Sequence, residues 1–216
     1  MSENLTVLGV SLDAGGTLFE PWPSVGEVYA RAAKDAGKGQ FSPTDLEMRF
    51  RVSWRKRSGF GYDRLAWRNL AVDVFQGLLD ESEVDSFFGE LYEGFAHPDA
   101  WRVYPDVIPA LDAWRDRGIP VCVTSNWDER LLPLIERLGW MDRFESVIAS
   151  GVVGFHKPDR RLFQEAARVL KLPPAAILHV GDSGCEDHQG ALAAGLQARW
   201  LRRGAQTVGL GKFAIF

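Results

Sequence analysis

Polar residues stand just after three apolar runs in this chain: Asp13 after 5–12, Ser125 with Asn126 after 119–124, and Asp182 beyond 177–180. Lys157 lies in the loop 154–159, ahead of a helical stretch. In an open parallel sheet the carboxyl ends of the strands line one edge, and ligands bind there. Two carboxylates, a hydroxyl, a lysine and a glycine-rich turn at Gly15-Gly16 suit a phosphate held beside a divalent cation. Magnesium takes a few carboxylate and carbonyl oxygens together with substrate phosphate. Backbone N–H groups of the turn and the lysine would neutralise phosphate charge.

Those residues need a sheet to bring them together, and the patterning supplies one. The run 5–12 is short, apolar and rich enough in β-branched residues for a buried strand. From 19 to 98 helical periodicity replaces strand-like runs. Val25, Val28, Tyr29, Ala32 and Ala36 share one face, closed by Gly37. Ser42-Pro43 opens a second helix with a serine cap and proline at the first helical position. Leu46, Phe50 and Trp54 follow at i, i+4 and i+8. Residues 65–79 and 81–95 give two more helices, the latter capped by Asp80. Four helices with no strand between them predict a small bundle.

Beyond residue 98 helices and strands alternate. Helices are predicted over 106–117, 129–138, 160–170 and 185–194, and strands over 119–124, 146–149, 177–180 and 198–201. Repeated βα alternation implies a parallel sheet with helices on both faces. The expected fold is therefore an α/β, Rossmann-like core with a five-stranded parallel sheet. Its segments are 1–18 and 99–216, interrupted by a helical domain over 19–98.

Composition excludes several functions. With 25 basic and 29 acidic side chains the formal charge is -4, and the basic cluster between Arg49 and Arg57 is broken by Phe50, Val52 and Trp54. No nucleic-acid partner is expected. No apolar run approaches the roughly 20 residues that cross a bilayer, so no membrane partner is expected. Met1-Ser2-Glu3-Asn4 lacks a signal-peptide pattern, and Cys122 inside an apolar run reads as a small core residue in a reducing compartment. These features predict a soluble, cytoplasmic protein and leave its oligomeric state open.

The motifs resemble those of the haloacid dehalogenase superfamily, in the subgroup with a helical cap between its first and second motifs. Asp13-Ala14-Gly15-Gly16-Thr17-Leu18 is similar to the first motif, Thr124-Ser125-Asn126 to the second and Lys157-Pro158-Asp159 to the third. Gly181-Asp182-Ser183 with Asp187 and Gly190-Ala191, then Ala194-Gly195, is similar to the fourth. The wording around these motifs is most similar to the rhythmically-expressed-gene-two-like branch. The resemblance implies a magnesium-dependent phosphohydrolase acting on a small phosphorylated metabolite. Asp13 would be the nucleophile and form an aspartyl-phosphate. Mg2+ would be held by Asp13, Asp182, Asp187 and the backbone carbonyl of Gly15. Gly16, Ser125, Asn126 and Lys157 would bind the phosphoryl group, with Ser125 and Lys157 also serving catalysis.

One position departs from that pattern. Phosphatases of the superfamily mostly carry a second aspartate two residues after the nucleophile, which protonates the leaving group and then activates water. Here Gly15 occupies it. General acid–base catalysis contributes about 10²- to 10⁴-fold, so hydrolysis is expected to be slow or restricted to certain substrates. Three routes around the gap stand open. The substrate can have a good leaving group, as an acyl phosphate has. Glu20, His156 or a cap group can substitute. Or the protein is a weakly catalytic phospho-ligand-binding or interaction module. Dehalogenation and phosphonate cleavage fit less well. Dehalogenases of the superfamily work without magnesium, and no motif supports Lys34, Lys38 or Lys56 as an imine-forming lysine.

Each site residue also has a plainer role. Asp13 and Asp182 could be turn formers, Asp187 an acidic residue at a helix start, Ser125 a helix cap and Lys157 a loop lysine. The four motifs in order favour the functional roles. His156 and His179 read as structural, Cys185 as inert packing, and Trp54, Phe60, Tyr62, Trp67 and Phe75 as bundle core.

Overall fold

The computed structural model describes residues 6–204 and 209–212. In chain order the elements are β1 (Gly9–Leu12), β2 (Phe19–Pro21), α1 (Val25–Asp35), α2 (Pro43–Lys56), α3 (Arg64–Phe75), α4 (Glu81–Gly94), β3 (Trp101–Val103) and α5 (Val107–Asp116). There follow β4 (Val121–Ser125), α6 (Leu131–Arg137), β5 (Ser146–Ala149), α7 (Ser150–Val153), α8 (Arg160–Leu170), β6 (Ile177–Gly181), α9 (Gly190–Ala193) and β7 (Gln197–Trp200). Between β6 and α9 runs a π-helix, Gly184–Gln189. Leu5, where the first apolar run opens, lies outside the described residues.

The expected five-stranded parallel sheet is present, in the order β5-β4-β1-β6-β7. Strands β1, β4 and β6 are buried along their whole length, which is why they read as continuous apolar runs and not as alternating ones. After β1 the chain winds outward through β4 to β5, then crosses back to β6 and on to β7. The winding therefore reverses between β1 and β6, and Leu12 pairs with Val180 there. Asp13 and Asp182 leave the carboxyl ends of those two strands. That reversal point is where open α/β sheets bind ligands.

The chain divides into two compact units, Met1–Glu20 with Val103–Trp127 and Gly139–Phe216, and Pro21–Arg102 with Asp128–Leu138. The first holds the sheet. One of its cores gathers Cys122, Ile148, Leu162, Phe163, Ile177 and Ala191. Burial pushes the Cys122 thiol up to about 12, so it is inert filling.

The second unit is helical and has its own core, built on Val28, Tyr29, Leu46, Phe75, Phe87 and Leu91. Tyr29 stacks on Phe75 with ring centroids 5.9 Å apart. The predicted start at Ser42 is a real cap, its hydroxyl accepting the N–H of Asp45, and the Ser24 hydroxyl caps α1 in the same way by accepting the N–H of Glu27. Asp80 and Glu83 form a reciprocal capping box. Helix α3 ends at Phe75 and not at 79, because Gly77 turns left-handed at φ 76. Trp54, Phe60, Tyr62 and Trp67 form an aromatic cluster, with Trp54 stacked on Trp67 at 5.5 Å.

Residues 128–138 pack with these helices, although their sequence pattern reads as part of the βα alternation. The cause is electrostatic. Arg130, buried, pairs with Asp128 at 2.6 Å, donates to the Tyr92 carbonyl at 2.7 Å and lies 3.6 Å from the centre of the Tyr92 ring. The Tyr92 hydroxyl donates to Glu129, and Arg137 donates to the Ala96 carbonyl.

Candidate active site

Each predicted residue can be traced to the element that holds it. Asp13 follows β1, and its backbone N–H donates to the Val180 carbonyl at 3.0 Å, fixing the turn to β6. Ser125 ends β4 and donates its hydroxyl hydrogen to Asp13 Oδ1 at 2.9 Å. Lys157 reaches in from its loop with Nζ 2.6 Å from Asp13 Oδ1 and 2.5 Å from Asp187 Oδ1. Both donors to Asp13 fall on Oδ1.

The Asn126 side chain is engaged with the lysine loop. Its amide donates to the Lys157 carbonyl at 3.0 Å and its oxygen accepts the Lys157 N–H at 2.7 Å. A two-bond clamp of this kind aims the lysine. Gly16 has φ +75, and a Cβ there would come within 2.3 Å of an Asp182 carboxylate oxygen. Glycine at this point satisfies both the left-handed turn and the close approach of Asp182.

The fourth motif is where the local structure departs from expectation. The sequence predicts a helix over 185–194, but 184–189 is π-helical before α9 begins. Asp187 is turned inward instead of sitting at an ordinary helix start. Its Oδ2 accepts the Ser183 N–H at 2.8 Å, and its Oδ1 meets Lys157 and His179 Nε2. Wide turns of this kind recur at functional sites. The Trp200 indole N–H donates to the Asp182 carbonyl at 2.8 Å and steadies the same loop.

His179, expected to be structural, is joined to the site. It is fully buried on β6, with Nε2 3.1 Å from Asp187 and Nδ1 2.9 Å from the Ser11 hydroxyl, which contacts Thr124 in turn. Burial holds the imidazole below its ordinary pKa, hence neutral. A neutral imidazole beside a carboxylate presents N–H to it, so Nε2 carries the proton. A histidine two residues before Gly181 inside an apolar strand was the available signal. His156 is exposed, and Glu20 accepts a hydrogen bond from the Tyr104 hydroxyl at 3.1 Å. Cys185 is also exposed, and so is not the inert packing expected of it.

The electrostatics favour a cation. Oxygens of Asp13, Asp182 and Asp187 all lie within 4.8 Å of one another, three carboxylates against the single ammonium of Lys157. Burial raises the Asp13 carboxyl, with Lys157 opposing and Asp187 assisting. Burial also acts against the Asp187 charge, but Lys157 and His179 outweigh it and hold that carboxyl well below its usual range. Desolvation depresses Lys157, yet Asp13 and Asp187 keep it firmly protonated. Asp182 keeps one side open to solvent. Loss of water on its inner side, then Asp13 and Asp187, push its carboxyl up to about 7. A hard divalent cation relieves this crowding, and the all-oxygen donor set suits it.

Asp182 must give up its proton to bind a cation, so affinity for Mg2+ should rise with pH through about 7. Binding near neutrality should release up to roughly one proton. Calorimetric titration in two buffers of different ionisation enthalpy measures the release, and identical heats in both would contradict it.

The sequence model of the haloacid dehalogenase-like hydrolase family matches residues 7–195. The human haloacid dehalogenase-like hydrolase domain-containing protein 3 is 32% identical over 209 residues, covering 92% of this chain and 83% of that protein. A phosphoserine phosphatase of Thermus thermophilus is 31% identical over 156 residues, 70% of this chain and 63% of that enzyme. Among solved structures, a haloacid dehalogenase-superfamily hydrolase from Geobacter sulfurreducens superposes with a TM-score of 0.74 at 18% identity, covering 96% of this chain and 94% of that one. That last likeness concerns the fold.

Proposed function

Because the chain belongs to the haloacid dehalogenase-like hydrolase family, we propose that it is a magnesium-dependent phosphohydrolase working through an aspartyl-phosphate on Asp13. The substrate class is a small phosphorylated metabolite, in keeping with phosphatases among its relatives. The sequence wording favours the rhythmically-expressed-gene-two-like branch. One observation carries the reading: Asp13, Asp182 and Asp187 converge around one lysine at the reversal point of the sheet. A turn former or a helix cap has no need of such company.

Asp13 Oδ1 accepts from Ser125 and Lys157, which leaves Oδ2 as the oxygen to attack phosphorus. Lys157 offsets negative charge shared between nucleophile and phosphoryl oxygens, the main work in phosphoryl transfer. Ser125 donates its one hydroxyl hydrogen to Asp13 Oδ1 and so orients the nucleophile. Mg2+ would be held by Asp13, Asp182, Asp187 and the Gly15 carbonyl, and supplies further charge neutralisation there. His179, through Asp187, fixes both the lysine and the cation side of the site.

The test is direct. Purified protein with Mg2+ should release inorganic phosphate from at least one member of a panel of phosphate monoesters and acyl phosphates, and EDTA should reduce release to background. If no compound is hydrolysed, the phospho-ligand-binding module motivated by Gly15 becomes the better reading.

A further inference from the structure

We infer that Trp127 occupies the space of an acid/base side chain at position 15 and restricts the site to substrates whose leaving group departs without a proton, acyl phosphates foremost. The inference rests on the phosphohydrolase reading above and names its substrate class.

The first observation concerns the backbone. Gly16 is left-handed and needs glycine, but Gly15 is not, so its conformation admits any residue. What opposes a side chain is one neighbour. A Cβ built on Gly15 would stand 3.2 Å from Cζ3 of Trp127, with no other contact within 4 Å among the described residues outside its chain neighbours. The indole is held there. Trp127 is buried and packs edge-on against Phe19 with centroids 5.7 Å apart. The main chain beneath the ring is fixed: the Trp127 backbone N–H donates to the Ser150 hydroxyl at 3.1 Å, and the Trp127 carbonyl accepts from Gly151 N–H at 2.8 Å and from Ser150 at 3.2 Å. Ser150 is itself fully buried. A side chain at position 15 requires the Trp127 ring to give by a few tenths of an ångström, and a carboxylate carried there lies beside apolar ring surface, at the cost of desolvation.

The second observation concerns what else could give a proton. The groups hydrogen-bonded to Asp13 are the Ser125 hydroxyl and the Lys157 ammonium, and the ammonium is bound to two carboxylates. Neither is an acid poised near neutrality, and Asp182, the third carboxylate of the group, is taken up as a cation ligand in the reading above.

Asp13 Oδ2 forms a bond to phosphorus while the bond from phosphorus to the leaving oxygen breaks, and its electron pair leaves on that oxygen. A carboxylate accepts the pair without protonation; an alkoxide does not. Water next bonds to phosphorus, the pair of the P–Oδ2 bond returns to Asp13, and the water proton departs on inorganic phosphate. With no base at position 15 the second step is the slower for good substrates, so the covalent intermediate accumulates.

The experiment compares kcat/KM for acetyl phosphate, aryl phosphates of rising leaving-group pKa and an alkyl phosphate. A fall of about 10²- to 10⁴-fold across the series is expected. A burst of leaving group close to the enzyme concentration should accompany the best substrates. Gly15→Asp alone should leave the alkyl phosphate slow, whereas Gly15→Asp with Trp127→Ala should speed it. A flat series overturns the inference and leaves the phosphohydrolase reading intact. A series that becomes steep only in Glu20→Gln, or full rescue by Gly15→Asp alone, overturns it too. Absence of turnover on every compound removes both readings.

Discussion

Replacing Asp13 by asparagine should abolish phosphate release while leaving the protein at least as stable as before. The amide keeps the shape of the side chain and an oxygen to accept from Ser125 and Lys157, but it cannot form an acyl phosphate. A drop of at least about 10³-fold is expected, the remainder being what binding and fixed dipoles achieve alone. The stability expectation follows from charge. Burial raises the Asp13 carboxyl above its ordinary pKa, so at neutral pH the ionised form is less comfortable in the fold than in the unfolded chain. Neutralising it takes one carboxylate out of a group of three, and Lys157 retains Asp187 at 2.5 Å. Phosphate release and urea denaturation on the same preparations check both halves. Turnover that survives in Asp13→Asn would remove the nucleophile assignment, whatever happens to stability.

Lys157→Met should do the reverse and damage stability as well as activity. Lys157 is buried between Asp13 and Asp187, and its removal leaves two buried carboxylates facing each other. Breaking a buried ion pair from one side costs about 3–5 kcal/mol, whereas an exposed pair such as Arg64 with Glu93 is worth about 0–1 kcal/mol. The loss should depend on pH with a definite sign. Without the ammonium, the folded-state pKa values of Asp13 and Asp187 would lie above their unfolded values. The folded variant would then bind more protons than the unfolded chain between those values, and its stability would recover as pH falls. Mg2+ should restore part of the loss at neutral pH, since a cation held by the same carboxylates supplies the missing positive charge. Urea midpoints at pH 5.5 and pH 8, with and without Mg2+, give the comparison. A midpoint unchanged from the parent protein at pH 8 would show that the lysine is not compensating the carboxylates.

The two variants also separate the roles of the groups around Asp13. Asp13→Asn removes the reacting atom and keeps its surroundings. Lys157→Met keeps the reacting atom and removes the charge that tames it. A phosphohydrolase loses turnover in both, but only the second should become pH-sensitive in its folding.

Much of this site was legible in the sequence because its parts are local. Asp13, Ser125 and Asp182 each stand at the end of an apolar run, and a buried parallel strand announces itself by such a run. The turn at Gly15-Gly16 and the caps at Ser42 and Asp80 are equally local, since each involves residues within a few positions of one another. Element type and order, the parallel sheet and the convergence of the motifs on one edge all follow from such signals.

Other features depend on which strands lie side by side, and no local pattern encodes that. His179 reads as core filling until the register of β1 against β6 sets it beside Ser11, 168 residues away in the chain, and the π-helical turn brings Asp187 to its other nitrogen. Asn126 reads as a phosphate ligand, yet the folded chain sets its amide against the Lys157 backbone. Residues 128–138 carry an ordinary amphipathic pattern, and only a buried arginine paired with Asp128 shows that they pack with the helices. The sequence by itself determined that Asp13 follows a buried strand and that no carboxylate stands at position 15. Tertiary structure alone decided what stands there instead, because an indole from another strand end can fill that space only after distant segments have packed.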